Sequence, residues 1–297
     1  MTLKETGCKL GRANDQLRSE QLVMSDAQRI GNFRLDKVLS RTAYGNFVYL
    51  ASDDHCHVAI EVLDDRVPPD QAESFLINAR CLSKLNHRNL LRYIDYGRTE
   101  DGRYYTVSEF IQGITLRERV RKETIAFDES ARLLATVSQT LHYVHEHGIL
   151  HRNLHLGSIL LEANSGKPYV TDFGFPFLGD DGIVIGNPSH LSPELVRGDY
   201  HLVDGRTDVY SIGIMLYELL AGQRPFRGGG VELINQIFST KPSPPRDLNG
   251  DIPVELNRIC LKAIAKRASD RYSTAAELAN DLVNWQTPSK WWWPKFR

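Results

Sequence analysis

His151-Arg152-Asn153-Leu154-His155-Leu156-Gly157-Ser158-Ile159-Leu160-Leu161, followed ten residues on by Thr171-Asp172-Phe173-Gly174, is the stretch from which the rest of the chain is read. It reads as a polar turn loop, a short apolar strand, and a second loop that opens on an acid. Upstream of it the pattern is that of strands. Phe33 to Leu39, Phe47 to Ser52 and His57 to Leu63 are separated by polar turns at Arg41 to Asn46 and Asp53 to His55. Gln71 to Leu85 carries Phe75, Ala79, Leu82 and Leu85 at helical spacing, and Leu90 to Tyr96 and Arg103 to Glu109 read as two further strands.

The Gln112-Gly113 step breaks the last strand as a hinge would, and beyond it the pattern is almost wholly helical. The spacing of Leu134, Val137, Leu141 and Val144 predicts a long helix from an N-cap at about Asp128 to a stop at Gly148. Shorter helices are expected at Ser192 to Arg197, Val209 to Ala221, Val231 to Phe238, Val254 to Ala265 and Thr274 to Trp285. Pro242 to Asp247, with three prolines, reads as a stiff loop. Residues 1–31 are polar and weakly periodic, which predicts a mobile arm or one marginal helix, and Met24 is an alternative start.

The 297 residues suffice for one large two-lobed domain. Lys plus Arg number 36 against 37 Asp plus Glu, so no global field draws nucleic acid or an anionic membrane. The four cysteines, Cys8, Cys56, Cys81 and Cys260, lie too far apart for a zinc site or a disulfide framework, and a reducing cytoplasm is the expectation. The chain has no apolar run of about 18 residues and no export signal.

The loop, strand and Asp172-Phe173-Gly174 order resembles the catalytic and metal-binding loops of protein kinases, H-R-D-L-x-x-x-N and then D-F-G. The resemblance covers Phe33 to Trp285 and is nearest to the bacterial Ser/Thr kinases of eukaryotic-like type. Gly186-Asn187-Pro188-Ser189-His190-Leu191-Ser192-Pro193-Glu194 is similar to G-T-P-x-Y-M-S-P-E. Asp208 to Gly213, Arg224-Pro225-Phe226 and Ala268 to Tyr272 follow in the family's order. The resemblance implies an α+β two-lobed fold with a five-stranded antiparallel N-lobe bearing one helix (32–111), a hinge (109–114) and a mainly helical C-lobe (115–285). It also implies scaffold roles for His151, Arg152 and Phe173, a buried Glu194–Arg271 ion pair, and an Asp208 that holds the His151-Arg152 backbone.

At the chemical positions the chain departs from the family. Asn153 stands where the base Asp would take the substrate proton, Ser158 where an Asn would hold a second magnesium, and His155 where the loop Lys would lie. In Val58-Ala59-Ile60-Glu61, matching V-A-I-K, Glu61 replaces the phosphate-binding Lys, and its helical Glu partner is Asn78. Asn187 replaces a Thr, and the Gly-rich loop, Leu39 to Val48, keeps only Gly45. A carboxylate about 4 Å from a phosphate oxygen, at an effective dielectric near 20, repels it by on the order of 4 kcal/mol.

Val48, Ala59 and Leu160 fall where the family sandwiches adenine, with Glu109 to Ile111 as hinge and Ser108 as a small gatekeeper; lobe core is the equal alternative. Arg41 is a candidate substitute phosphate cation or simply a solvated loop arginine. Asp172 either holds a metal or hydrogen-bonds its own loop. No Ser, Thr or Tyr lies between Gly174 and Gly186, so Asp180 or Asp181 is a candidate permanent partner of Arg152; solvation of a turn is the alternative. In the tail, 286–297, Trp291, Trp292 and Trp293 with flanking cations suit a peripheral membrane contact, a partner groove or back-packing on the C-lobe. His55, His57 and His190 show no ligand spacing and read as surface or packing residues.

The expectation is a pseudokinase that binds other proteins, without nucleic acid, with ATP and magnesium held weakly if at all. The alternative is an active atypical Ser/Thr kinase using Asp172, Arg41 and a displaced base. For transfer of some other group from ATP, only Glu61, His155 and Asp172 stand as candidates.

Overall fold

Nine strands and nine helices of four or more residues are seen among the residues that the computed structural model describes, 29–42, 45–65, 67–174 and 188–286. Residues 1–28, Asp180 and Asp181, Asn187 and Trp291 to Trp293 fall outside them, and with them the expectations for those positions. The N-lobe sheet is antiparallel throughout, in the order β1-β2-β3-β4-β6-β5, from β1 (Arg29–Ile30), β2 (Phe33–Arg41), β3 (Phe47–Ser52), β4 (His57–Val62), β5 (Tyr93–Arg98) and β6 (Tyr104–Glu109). It has six strands, not five. Gly31, at φ 56°, turns the chain so that Ile30 pairs with Phe33, adding a short strand where the sequence predicts only arm.

Strand β5 starts at Tyr93 rather than Leu90 because the preceding residues pair elsewhere. The Leu91 amide donates to the Val170 carbonyl at 3.1 Å, and the Val170 amide to Asn89 at 2.8 Å. Helix α1 (Pro69–Leu82) crosses behind this sheet. In β4 the period of two sends Val58, Ile60 and Val62 into the lobe core with Tyr49, Ala51 and Val107, and turns Ala59 and Glu61 to the opposite face.

Past the hinge the chain is not wholly helical. A second sheet, β7 (Gly113–Thr115), β8 (Ile159–Glu162) and β9 (Pro168–Val170), carries the loop between its strands. Gly113 is a strand residue and not only a breaker: a Cβ there would lie 2.0 Å from the Leu161 carbonyl oxygen, so only glycine permits the pairing. Helix α2 (Leu116–Lys122) follows, capped by Thr115 and Glu118. Helix α3 (Phe127–Glu146) begins at an Ala126 cap, which leaves Asp128 inside the first turn, bonded to Arg132 at 2.6 Å.

The remaining helices are α4 (Pro193–Arg197), α5 (Gly205–Ala221), α6 (Gly230–Ser239), α7 (Pro245–Leu248), α8 (Val254–Ala263) and α9 (Ala275–Asn284). The proline-rich stretch thus holds a short helix, begun by Pro245 at its first position. Helix α5, buried almost all round, is the axis on which α3, α8 and α9 pack. A single apolar core runs from Leu82 and Tyr93 through Phe173 to this helix. Cys56, Cys81 and Cys260 are free thiols, and no described helix is long and apolar enough to cross a membrane.

Candidate nucleotide and catalytic cleft

Asp208, in the first turn of α5 and fully buried, organises the loop at 151–158. The amides of His151 and Arg152 donate to its Oδ2 and Oδ1, both at 2.9 Å, and His145 Nε2 lies 2.7 Å from Oδ2. Burial would raise its pKa, but the hydrogen bond from His145 and the neighbouring histidine charges hold it below the usual carboxylate range. His151 Nε2 meets the Thr171 carbonyl at 2.8 Å, and its ring packs on Phe173 with centroids 4.4 Å apart. Arg152 and Asp172, at φ 60° and 59°, are the non-glycine residues in left-handed backbone among those described. Each such position costs about 1 kcal/mol or more and is kept where the surroundings over-determine it.

Asn153 is buried, and its amide donates to the His151 carbonyl at 2.8 Å. Ser158 and His155 satisfy each other. The His155 amide donates to Ser158 Oγ at 3.0 Å, the Ser158 amide to His155 Nδ1 at 3.0 Å, and Ser158 Oγ to the His155 carbonyl at 2.8 Å. Burial, with His190 and Arg117 nearby, pushes the His155 pKa down to about 3, so the ring is neutral where the family has a cation. Gly157 belongs to this turn, since a Cβ there would fall 2.9 Å from the His155 ring.

Glu61 lies on the cleft face of β4, across from Val48 on β3 and Thr106 on β6. Its hydrogen-bond partner is Asn46, whose Nδ2 donates to Glu61 Oε1 at 2.8 Å while the Asp64 amide donates to Asn46 Oδ1 at 3.1 Å. Burial and the Asp172 carboxylate raise the Glu61 pKa to about 7; burial raises that of Asp172 to about 6. Burial also raises the Tyr93 phenol, with Glu61 and Asp172 adding to it. Two carboxylates thus share the space where a Lys and an Asp would attract one another.

The loop above them is bonded to itself. The Thr42 amide donates to the Asn46 carbonyl at 2.8 Å and the Gly45 amide to the Thr42 carbonyl at 3.0 Å. Arg41 serves that loop rather than reaching over the cleft: Nε donates to the Gly45 carbonyl at 3.2 Å, the guanidinium sits 4.9 Å from the Phe47 ring centroid, and Asp64 is 3.9 Å away. Asn78, half-buried on α1, is not bonded to Glu61.

On the adenine side, Val48, Ala59 and Leu160 are all half-buried, whereas Ile159 and Leu161 beside Leu160 enter the core. Ser108, directly across from Ala59, is buried. Glu109 ties the hinge to β5, its amide donating to the Arg92 carbonyl and its Oε1 accepting from the Arg92 amide, both at 3.0 Å. Ile111 is half-buried beyond it.

Below the cleft, Arg271 Nη1 and Nη2 reach Glu194 Oε1 and Oε2 at 2.7 and 2.9 Å, and Thr207 Oγ1 donates to the same Oε1 at 2.9 Å. Sequence reasoning missed Asn46, whose position beside the loop's single glycine was the available signal. Of the two places open to His190, surface or packing, it takes the second: it is buried, with Nε2 at 3.2 Å from Glu218 Oε2. Among the described residues no group of three or more His, Cys, Asp or Glu is placed to hold a metal.

The protein kinase domain family matches residues 34–283. The serine/threonine-protein kinase PknB of Mycolicibacterium smegmatis is 37% identical over 253 residues, 80% of this chain and 40% of that protein. The DNA damage-responsive serine/threonine-protein kinase RqkA of Deinococcus radiodurans is 34% identical over 247 residues, 78% of this chain and 36% of that protein. This chain therefore spans well under half the length of these relatives. Rad53 residues 1–466, solved with AMP-PNP, superposes with a TM-score of 0.71 at 25% identity, covering 84% of this chain and 64% of that one. The chain belongs to the protein kinase domain family, with bacterial Ser/Thr kinases among its relatives.

Proposed function

We propose that this chain is a pseudokinase, a kinase-fold regulator that acts by binding other proteins and transfers phosphate negligibly or not at all. The observation that carries the reading is Glu61, held by Asn46 beside Asp172. A phosphate group entering there meets a pair of acids instead of an ammonium; Glu61, with its pKa raised to about 7, is in part protonated at neutral pH, and each acid that is ionised repels a phosphate oxygen about 4 Å away by on the order of 4 kcal/mol. The residues present do not fit a magnesium-bound triphosphate either. Ser158 spends its hydroxyl on His155, which leaves Asp172 as the metal-binding acid of the family pattern, and the Thr42 and Gly45 amides are used within their own loop. Asn153 cannot take up a hydroxyl proton as a carboxylate does.

A second reading, an active atypical Ser/Thr kinase, is favoured by the comparisons: the relatives PknB and RqkA, at 37% and 34% identity, are named as serine/threonine-protein kinases. Titration with ATP, with and without magnesium, followed by thermal unfolding separates the two. The pseudokinase reading expects no magnesium-dependent stabilisation. A shift of several degrees at sub-millimolar ATP favours the enzyme.

A further inference from the structure

Glu61 and Asp172 lie close enough for the Asp172 carboxylate to act on Glu61, yet among the described residues no Lys or Arg pairs with either. Arg41, the candidate cation of the loop above, is spent on the Gly45 carbonyl, the Phe47 ring and Asp64. Asn46 Nδ2 donates to Glu61 Oε1, and no hydrogen bond reaches Oε2 among the described residues.

A third polar group points at the same place. Tyr93 is 8% exposed, and its ring lies in the same apolar core as Leu82 and Phe173. Burial raises its phenol first, and Glu61 and Asp172 raise it further, so the hydroxyl faces both acids. No hydrogen bond to that hydroxyl is formed among the described residues. A buried phenol without a partner, turned toward two unpaired acids, marks a place for a ligand group rather than a closed network.

The face of the sheet that carries Glu61 is otherwise apolar. Val48 stands directly across from it on β3, and Ala59, two residues before it on β4, points the same way. Both are half-buried, as is Leu160, which turns away from the C-lobe core that Ile159 and Leu161 enter.

We propose that this cleft binds a planar heterocyclic amine, with its ring against Val48 and Ala59 and its protonated amino group among Glu61, Asp172 and the Tyr93 hydroxyl. The inference rests on the reading that the cleft rejects magnesium-bound phosphate, and it gives the cleft a ligand of opposite charge. An ammonium brings three donors to acceptors that lack them, and a cation between two acids relieves their mutual repulsion. A bare divalent ion fits less well, because it wants six or more oxygens. Here Asn46 turns its N–H to Glu61 and gives its own oxygen to the Asp64 amide.

Calorimetric titration of the whole 297-residue chain tests it, with 5′-amino-5′-deoxyadenosine, adenosine, AMP, putrescine and magnesium chloride as separate probes. The aminonucleoside should bind at least about tenfold tighter than adenosine, and AMP weaker than adenosine. In Glu61→Gln that preference for the amine should fall to within about threefold. Tyr93→Phe, which keeps the ring and removes the hydroxyl, should reduce it several-fold, while circular dichroism shows both variants folded. No preference for the amine, a preference undiminished in either variant, putrescine as tight as the aminonucleoside, or binding of magnesium alone at the same concentrations each overturns the proposal. Magnesium-ATP, titrated in parallel, keeps the two readings apart. If neither it nor the amine binds, the inference fails and the pseudokinase reading stands; if both bind, the amine site stands and the rejection of phosphate fails.

Discussion

Asn46 and Glu61 are joined at 2.8 Å, and through Asn46 the carboxylate is tied to the Asp64 amide as well, so the nucleotide-side loop is anchored to β4 by one buried side chain. Asn46→Ala removes both bonds and leaves Glu61 and the Asp64 amide without them. The expected loss is about 1–3 kcal/mol of unfolding free energy. Urea denaturation at pH 7 measures it, and a change of only a few tenths would mean that the loop is held by other contacts.

The raised carboxyls of Glu61 and Asp172 give stability a definite slope with pH. The folded state keeps protons that the unfolded state releases, so what these groups contribute is present below about pH 4.5 and lost as pH rises through about 6 to 7. Glu61→Gln abolishes one of these losses and can still accept from Asn46. Its melting temperature should match wild type at pH 5 and exceed it at pH 8, by the equivalent of about 1–3 kcal/mol. A difference that stays flat with pH would place Glu61 among ordinary solvated carboxylates.

Reversing the charge at 61 should alter nucleotide affinity. Glu61→Lys replaces a repulsion by an attraction next to Asp172, worth on the order of several kcal/mol at an effective dielectric near 20. Calorimetric titration should detect magnesium-ATP binding to the variant at concentrations where wild type shows none. Equal affinities would assign the weakness to the loop rather than to the charge.

The Glu194–Arg271 pair is a fold determinant rather than a cleft residue. Arg271→Met leaves the Glu194 carboxylate buried and uncompensated, with a predicted cost of about 3–5 kcal/mol. The double variant Glu194→Leu/Arg271→Met should cost less than the single one, because no lone charge remains. A double variant worse than the single would show that the pair's other bonds, such as Arg271 Nε to the Ala265 carbonyl at 2.8 Å, matter more than its charge.

The two-lobed architecture was legible because its signals are periodic and local. Val58, Ile60 and Val62 alternate with Ala59 and Glu61, and the long C-lobe helices repeat their apolar residues at helical spacing. What escaped depends on short or distant pairing. A two-residue strand such as Arg29–Ile30 has no period to detect, and Gly113 reads as a breaker until the Leu161 carbonyl is seen beside it. Asp128 is a good cap by type, yet the cap of α3 lies two residues earlier, at Ala126, which lets Phe127 pack against the core. In the cleft the altered positions were legible one by one against the family pattern. That Arg41 folds onto Phe47, and that Glu218 gathers Arg117 and His190, are contacts between residues whose proximity only the fold creates.

The most direct measurement is incorporation of labelled phosphate from magnesium-ATP into the protein itself and into generic Ser/Thr substrates, for wild type, Asn153→Asp and Asp172→Ala. The account predicts background incorporation in all three, because restoring a base at 153 leaves Glu61 and Ser158 unchanged. Incorporation by wild type that Asp172→Ala abolishes would contradict it and establish the chain as an active kinase.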